Sequence, residues 1–154
     1  MCQKKGRATF NVKAENALAR GDNELAGQLA ATVLRELSAT SARDYVKWLE
    51  ARAAFVQGRA DLQLGHPGDA LPLLLRVVEL RQTTVDAVSP VLAMARIGLA
   101  DCYLDLGDNA KAIELAGAAK KALGSHPELS TQYLSPLQNL EKRLRQVTLT
   151  AKHG

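Results

Sequence analysis

A phrase returns three times along this chain: ALARGDNELA at 17–26, DLQLGHPGDA at 61–70 and YLDLGDNAKA at 103–112. Gly21, Gly65 and Gly107 align, as do Ala26, Ala70 and Ala112, at steps of 44 and 42 residues. Self-similarity at such a period marks a stack of supersecondary units, each burying its apolar face on its neighbours. The repeat constrains architecture closely and says little about which molecule the surface holds.

Each phrase reads as the turn between two antiparallel helices. Glycine ends the first helix because a left-handed terminal residue costs it little. Asp22 and Asp108 follow and can cap the second helix, while the middle turn is Gly65-His66-Pro67-Gly68-Asp69. The helix after each turn is amphipathic, through Leu25, Ala26, Leu29, Ala30, Val33, Leu34 and Leu37, then Leu71, Leu74, Leu75 and Val78, then Ala112, Leu115, Ala116, Ala119 and Leu123. The helices before the turns are expected at about 8–20, 43–64 and 86–106. Ser41 with Asp44 reads as a capping box, Ser89-Pro90 as a first helical turn, and Thr40-Ser41 and Thr83-Thr84 as joints between repeats.

A last helix is expected over about 129–147, with Tyr133, Leu137, Leu140, Leu144 and Val147 on one side and Glu141, Lys142, Arg143 and Arg145 on the other. It can cover the last open apolar face, or its spacing can serve as a dimer seam. The organisation predicted is a basic N-terminal tail at 1–7, a helical-repeat domain at 8–147 with units at about 8–37, 43–82 and 86–123 and a cap at 129–147, and a C-terminal tail at 148–154.

Composition agrees with an all-α fold and narrows the function classes. Hydrophobic residues make up 47%, which argues against disorder, and Ala and Leu outweigh β-branched residues, with no strand-like alternation. The net charge of +4 is mild and gathers at the ends, in Lys4, Lys5 and Arg7 and in Lys142, Arg143, Arg145 and Lys152. Cys2 and Cys102 form no paired framework, and Cys102, among apolar neighbours, is expected to be a buried, inert thiol. There is no apolar leader and no apolar run long enough to span a membrane, so a cytoplasmic location is the expectation. His66, His126 and His153 lack metal-ligand spacing, and no phosphate loop, nucleophile elbow or zinc-protease motif occurs. The expectation is therefore a non-enzyme without cofactor or metal.

At this point the residues resemble the tetratricopeptide repeat family. The match is fullest over 96–123, where Leu99, Ala100, Tyr103, Gly107, Ala112 and Ala119 fall at family positions. The middle copy keeps Gly58, Gly65 and Ala70 but carries Gln57 and Asp61 where the family has a large apolar and an aromatic residue; the first keeps Gly21 and Ala26 but has Lys13 and Ala17 there. The period exceeds the family's usual length of about 34 residues and is similar to that of tetratricopeptide segments in bacterial signalling proteins. The resemblance implies a right-handed α-solenoid of three helical hairpins plus a C-terminal capping helix. It also implies a protein–protein interaction scaffold in a signalling setting, since fold analogy carries company rather than chemistry.

In that family the first helix of each pair lines a concave groove. The matching stripe here is Asn11 and Glu15 from the first pair, Arg52, Phe55, Arg59 and Gln63 from the second, and Ile97, Asp101 and Asp105 from the third. Such a mixture suits an extended or helical peptide bearing both signs of charge. Phe55 between two arginines is the foremost anchor candidate, or else a core residue. The Lys/Asn clamp of chaperone-binding members is missing, for its positions hold Asn11/Glu15, Phe55/Arg59 and Ile97/Asp101. The expected partner is a protein or peptide. A membrane is not expected, nucleic acid is disfavoured by Glu15, Asp101 and Asp105, and a homodimer through the last helix stays open.

Overall fold

The computed structural model describes residues 2–37 and 44–153, and of residues 2–5 and 8 the backbone alone. These residues form α1 (Cys2–Ala19), α2 (Asn23–Leu37), α3 (Asp44–Gln63), α4 (Pro67–Thr84), α5 (Pro90–Asp105), α6 (Asn109–Gly124) and α7 (Thr131–Lys152), with no strand among them. The Thr40-Ser41 joint and the Ser41 side of the expected capping box lie outside the described residues.

The three recurring turns are built alike, bond for bond. Gly21, Gly65 and Gly107 take φ of 79°, 81° and 83°, the left-handed region that a side chain would resist. The glycine N–H groups donate to Leu18 O, Leu62 O and Leu104 O, and those of the next residues, Asp22, His66 and Asp108, donate to Ala17 O, Asp61 O and Tyr103 O. This is the Schellman pattern, and it satisfies the last carbonyls of each first helix. The same three residues open the second helices: their carbonyls accept from Ala26, Ala70 and Ala112 N–H. Asp22 and Asp108 add a carboxylate bond to the Leu25 and Lys111 amides, while His66 is followed by Pro67, whose missing N–H is harmless in a first turn.

Helix ends differ from the sequence expectation in three places. The first helix starts at Cys2, so residues read as a basic tail are helical, and Arg7 reaches Glu36 on α2 at 3.7 Å. The fifth starts at Pro90 rather than 86, because the Ser89 hydroxyl caps the Val91 amide and its own N–H closes a turn on Asp86 O. The last runs on to Lys152, through most of the expected C-terminal tail.

Packing divides the chain into two compact units, Met1–Thr84 and Val85–Gly154, each described by itself. In the first, α1 packs on α2 and α3, and α3 on α2 and α4. Ala14, Ala17, Ala26, Ala30 and Ala60 fill the centre of one cluster, with Val33, Leu37, Leu49 and Val56 around them. Small side chains at the crossings let helix axes approach closely. Gly58 lies close against Leu74: a Cβ on Gly58 would lie 2.7 Å from Leu74 Cγ. The buried line of α4 is Ala70, Leu74, Val77, Leu80 and Arg81, whereas Leu75, expected inside, is exposed. The register follows Ala70, which the turn delivers to the α3 contact, and the buried positions recur from it at helical spacing.

In the second unit, α5 and α6 pack on each other and both pack on α7. Ala93, Ile97, Ala100, Ala112, Ala116, Ala119 and Leu123 meet Leu137 and Leu140 of α7, with Tyr133 and Leu144 packed at the edge. The apolar seam of the last helix is thus spent within its own unit. Its polar side is rearranged: Glu141 meets Lys120 at 2.9 Å, and Arg143 turns back to α5.

Two glycine-to-alanine substitutions should move stability in opposite directions. Gly117 is an exposed interior residue of α6 with no atom near its absent Cβ, so Gly117→Ala is expected to stabilise by about 0.5–1 kcal/mol. Gly58→Ala forces α3 from Leu74 and is expected to destabilise by about 1–3 kcal/mol. Urea denaturation midpoints of the two variants check both signs.

Candidate partner-binding site

The α3 side chains Tyr45, Trp48, Arg52, Phe55 and Arg59 are spaced by three and four residues and share one helix face. Tyr45 and Trp48 are 45% and 40% exposed, large values for aromatic residues, and stack with ring centroids 6.2 Å apart at an interplanar angle of 23°. The Arg52 guanidinium lies over the Trp48 ring, 4.6 Å from its centroid. It also donates from Nε and Nη2 to Glu15 Oε1 and Oε2 on α1, at 2.7 and 2.6 Å. A bidentate pair of this geometry fixes the fork as well as the charge. Arg52 is therefore held by an indole on its own helix and a carboxylate on the neighbouring one.

The other expected groove residues divide. Phe55 and Arg59 are half-buried on the same α3 face, and Gln63 is exposed at its end. Asn11, expected at the surface, is 0% exposed; its Nδ2 donates to Leu49 O at 3.3 Å, and its Oδ1 is buried without a hydrogen-bond partner. Ile97, also expected at the surface, is 1% exposed and belongs to the core of the second unit. Each is covered by a neighbouring helix: Ile97 lies one helical turn from Ala93 and one from Ala100, among the residues that meet α6 and α7, and Asn11 lies on the part of α1 that packs against α3 at Leu49. Asp101 and Asp105 also sit in the second unit, where Arg143 of α7 bridges them through Nη1 and Nη2. The structure thus gathers Glu15, Arg52, Phe55 and Arg59 in the first unit, and engages the acidic pair of the second internally.

Tyr45, Trp48 and Arg81 were not among the expected site residues. Spacing could have found the two aromatics, since they continue the Arg52–Phe55–Arg59 stripe toward the start of α3. Arg81 could have been found by alignment: at the same offset from Ala26, Ala70 and Ala112 stand Leu37, Arg81 and Leu123. The two leucines are buried core residues, and Arg81 is only 6% exposed. Burial holds its guanidinium below the ordinary pKa, the Arg52 charge acts in the same direction, and the Glu15 carboxylate opposes both.

Other reactive groups have local explanations. Cys102 is a buried thiol outside any disulfide; burial first, then Asp105 and Asp101, push its pKa to about 11, so it is scarcely ionised at neutral pH. His126 pairs through Nε2 with Val88 O at 2.7 Å, tying two turns of the second unit. Among the described residues no group of three or more His, Cys, Asp or Glu is placed to hold a metal, and no helix is long and apolar enough to cross a membrane. The chain matches no protein-family model, and no curated protein sequence matches it.

Asp61 on α3 marks a stability cost near the middle turn. Desolvation raises its pKa, Asp69 adds to the rise, and His66 opposes it. A carboxyl whose pKa is higher folded than unfolded binds its proton more tightly in the folded state, so its penalty is complete above the folded value and vanishes below the ordinary 3.8. Asp61→Asn is therefore expected to raise the melting temperature at pH 7. The advantage should shrink on acidification and disappear below about pH 3.8, as read by thermal melts across pH.

Proposed function

We propose that this chain is a tetratricopeptide-like adaptor, an α-solenoid that binds a peptide or helix of a partner protein on the α1/α3 face of its first unit. The observation that carries this reading is the exposed Tyr45–Trp48 stack continuing through Arg52 to Phe55 and Arg59 along one helix. Trp, Tyr and Arg are the residue types that dominate interface hot spots. The alanines of α3 are buried while Tyr45 and Trp48 stand exposed, so the two aromatics have no role in the core that would explain them. The identical Schellman turns at three in-register glycines support the family resemblance. The packing of Leu137, Leu140 and Leu144 within the second unit supports α7 as a cap and weakens the alternative of an oligomerisation seam. The cytoplasmic signalling setting remains part of the same proposal and rests on the resemblance alone.

The test is a photo-crosslinking amino acid placed at Tyr45 and, as a control, at the exposed Ile113 of the second unit. Crosslinking in cells should give a discrete adduct from position 45 and none from 113. The adduct should disappear with Trp48→Ala and Phe55→Ala, each of which should leave the circular dichroism spectrum and oligomeric state unchanged. Equal adducts from both positions, or one indifferent to Trp48 and Phe55, would remove the α3 face as the interface.

A further inference from the structure

Arg81 breaks the rule of its own position. The lines Ala26–Ala30–Val33–Leu37, Ala70–Leu74–Val77–Arg81 and Ala112–Ala116–Ala119–Leu123 are in register, and the last place is a buried leucine in two of them. A long cationic side chain placed where the repeat calls for leucine loses hydration and gains no packing advantage. It is retained at a cost in stability unless a partner compensates it.

Among the described residues the Arg81 side chain makes no hydrogen bond and no ion pair within 4.0 Å, although Arg76, five residues earlier, pairs with Glu50 and Glu79. Glu15, the acid whose field reaches Arg81, has both oxygens engaged by Arg52. No Arg81 nitrogen is among the wholly buried, unpaired atoms, whereas Asn11 Oδ1 is. With no acceptor among the described residues, the guanidinium keeps only the slight solvent exposure left to Arg81. α3 and α4 form a hairpin with Gly58 against Leu74, so Arg81, seven residues after Leu74, comes level with Ala51, seven residues before Gly58, and so beside Arg52; Arg52 and Glu15 are the charges whose fields reach it.

We propose that Arg81 and Arg52 form a receptor for a carboxylate side chain on an acidic segment of the partner protein, with Glu15 as the internal group that occupies Arg52 until the partner arrives. The inference rests on the adaptor reading above and adds the chemistry of what the face recognises. Charge complementarity selects the occupant: a second cation beside Arg52 repels a basic segment, and an uncharged one would leave Arg81 as it stands now. Tyr45, Trp48 and Phe55 supply apolar surface beside the charge, so the fitting sequence alternates acidic and apolar residues.

Trp48 is the sole tryptophan and reports directly on the site. The probes are three fluorescein-labelled decapeptides with identical leucines, whose remaining positions are all Glu, all Gln or all Lys. The Glu peptide should bind and change Trp48 emission, and the Gln and Lys peptides should bind at least about tenfold more weakly, the scale of one charge-assisted bond. Arg81→Leu, which restores the residue found at the other two positions, should raise the melting temperature by several degrees and lower affinity for the Glu peptide to that of the Gln peptide. Glu15→Gln should tighten the Glu peptide by freeing Arg52.

The proposal falls if the Gln or Lys peptide binds as well as the Glu peptide, if Arg81→Leu binds undiminished, or if Arg81→Leu melts lower than the parent. Displacement by inorganic phosphate as effective as by glutamate would reassign the site to phosphate and overturn the carboxylate assignment. Absence of Glu-peptide binding overturns the receptor as well. None of these results touches the crosslink from position 45, which judges the adaptor reading separately.

Discussion

The left-handed glycine at each turn is the constraint on which the rest depends. A positive φ at Gly21, Gly65 and Gly107 reverses the chain within three residues and lets one residue close the first helix and open the second. That economy fixes the rotation of the second helix, because the residue four beyond the cap must face the first. The position is Ala26, Ala70 or Ala112, each fully buried. From there helical spacing dictates every other buried side chain, which is why the three lines run in register to Leu37, Arg81 and Leu123. The close approach at Gly58 and Leu74 is a further consequence: once the turn sets the axes, only a residue without Cβ fits.

Much of this was legible in the sequence. The turns, the Ser89-Pro90 start, the buried Cys102 and the role of Leu137 and Leu140 follow from local chemistry and spacing. The helix limits at Cys2 and Lys152 did not, because neither end carries a strong cap or breaker and tertiary bonds such as Arg7 to Glu36 decide them. Site residues were harder, since a stripe read as solvent-facing can be covered by an element not yet positioned. Asn11 and Ile97 occupy the equivalent place in the first and third copies, and both are buried. Phe55, their counterpart in the middle copy, is larger and remains half-buried.

Lateral ion pairs show the same repetition. Glu15 and Asp101 are equivalent positions, and each is bound by an arginine from a later helix of its own unit: Arg52 of α3 in one, Arg143 of α7 in the other. α7 thus stands toward α5 as α3 stands toward α1, through polar contacts as well as apolar ones. Partly exposed pairs of this kind contribute only about 1 kcal/mol or less each, so they add to a packing that the buried residues already determine. It also follows that Asp101 and Asp105, which look available in the sequence, are already committed.

Departures from the repeat concentrate in its middle copy. Asp61 stands where the third copy has Tyr103, Arg59 where the others have Glu15 and Asp101, and Arg81 where they have leucine. Asp61 and Arg81 each carry a desolvation cost that the equivalent residues avoid. Natural sequences tolerate such local conflict mainly where a surface does something other than fold. The exposed Tyr45–Trp48 stack and the Arg52 fork lie on the same stretch of chain. The first and third copies carry mostly small or apolar residues at these places, although Asn11 Oδ1 of the first is buried without a partner; in the middle copy Asp61 beside the turn and Arg81 at the end of α4 each carry a desolvation cost. On the adaptor reading proposed above, the working surface is the part of the middle copy that carries the Tyr45–Trp48 stack, Arg52 and Arg81, because there the residues depart furthest from what folding alone asks.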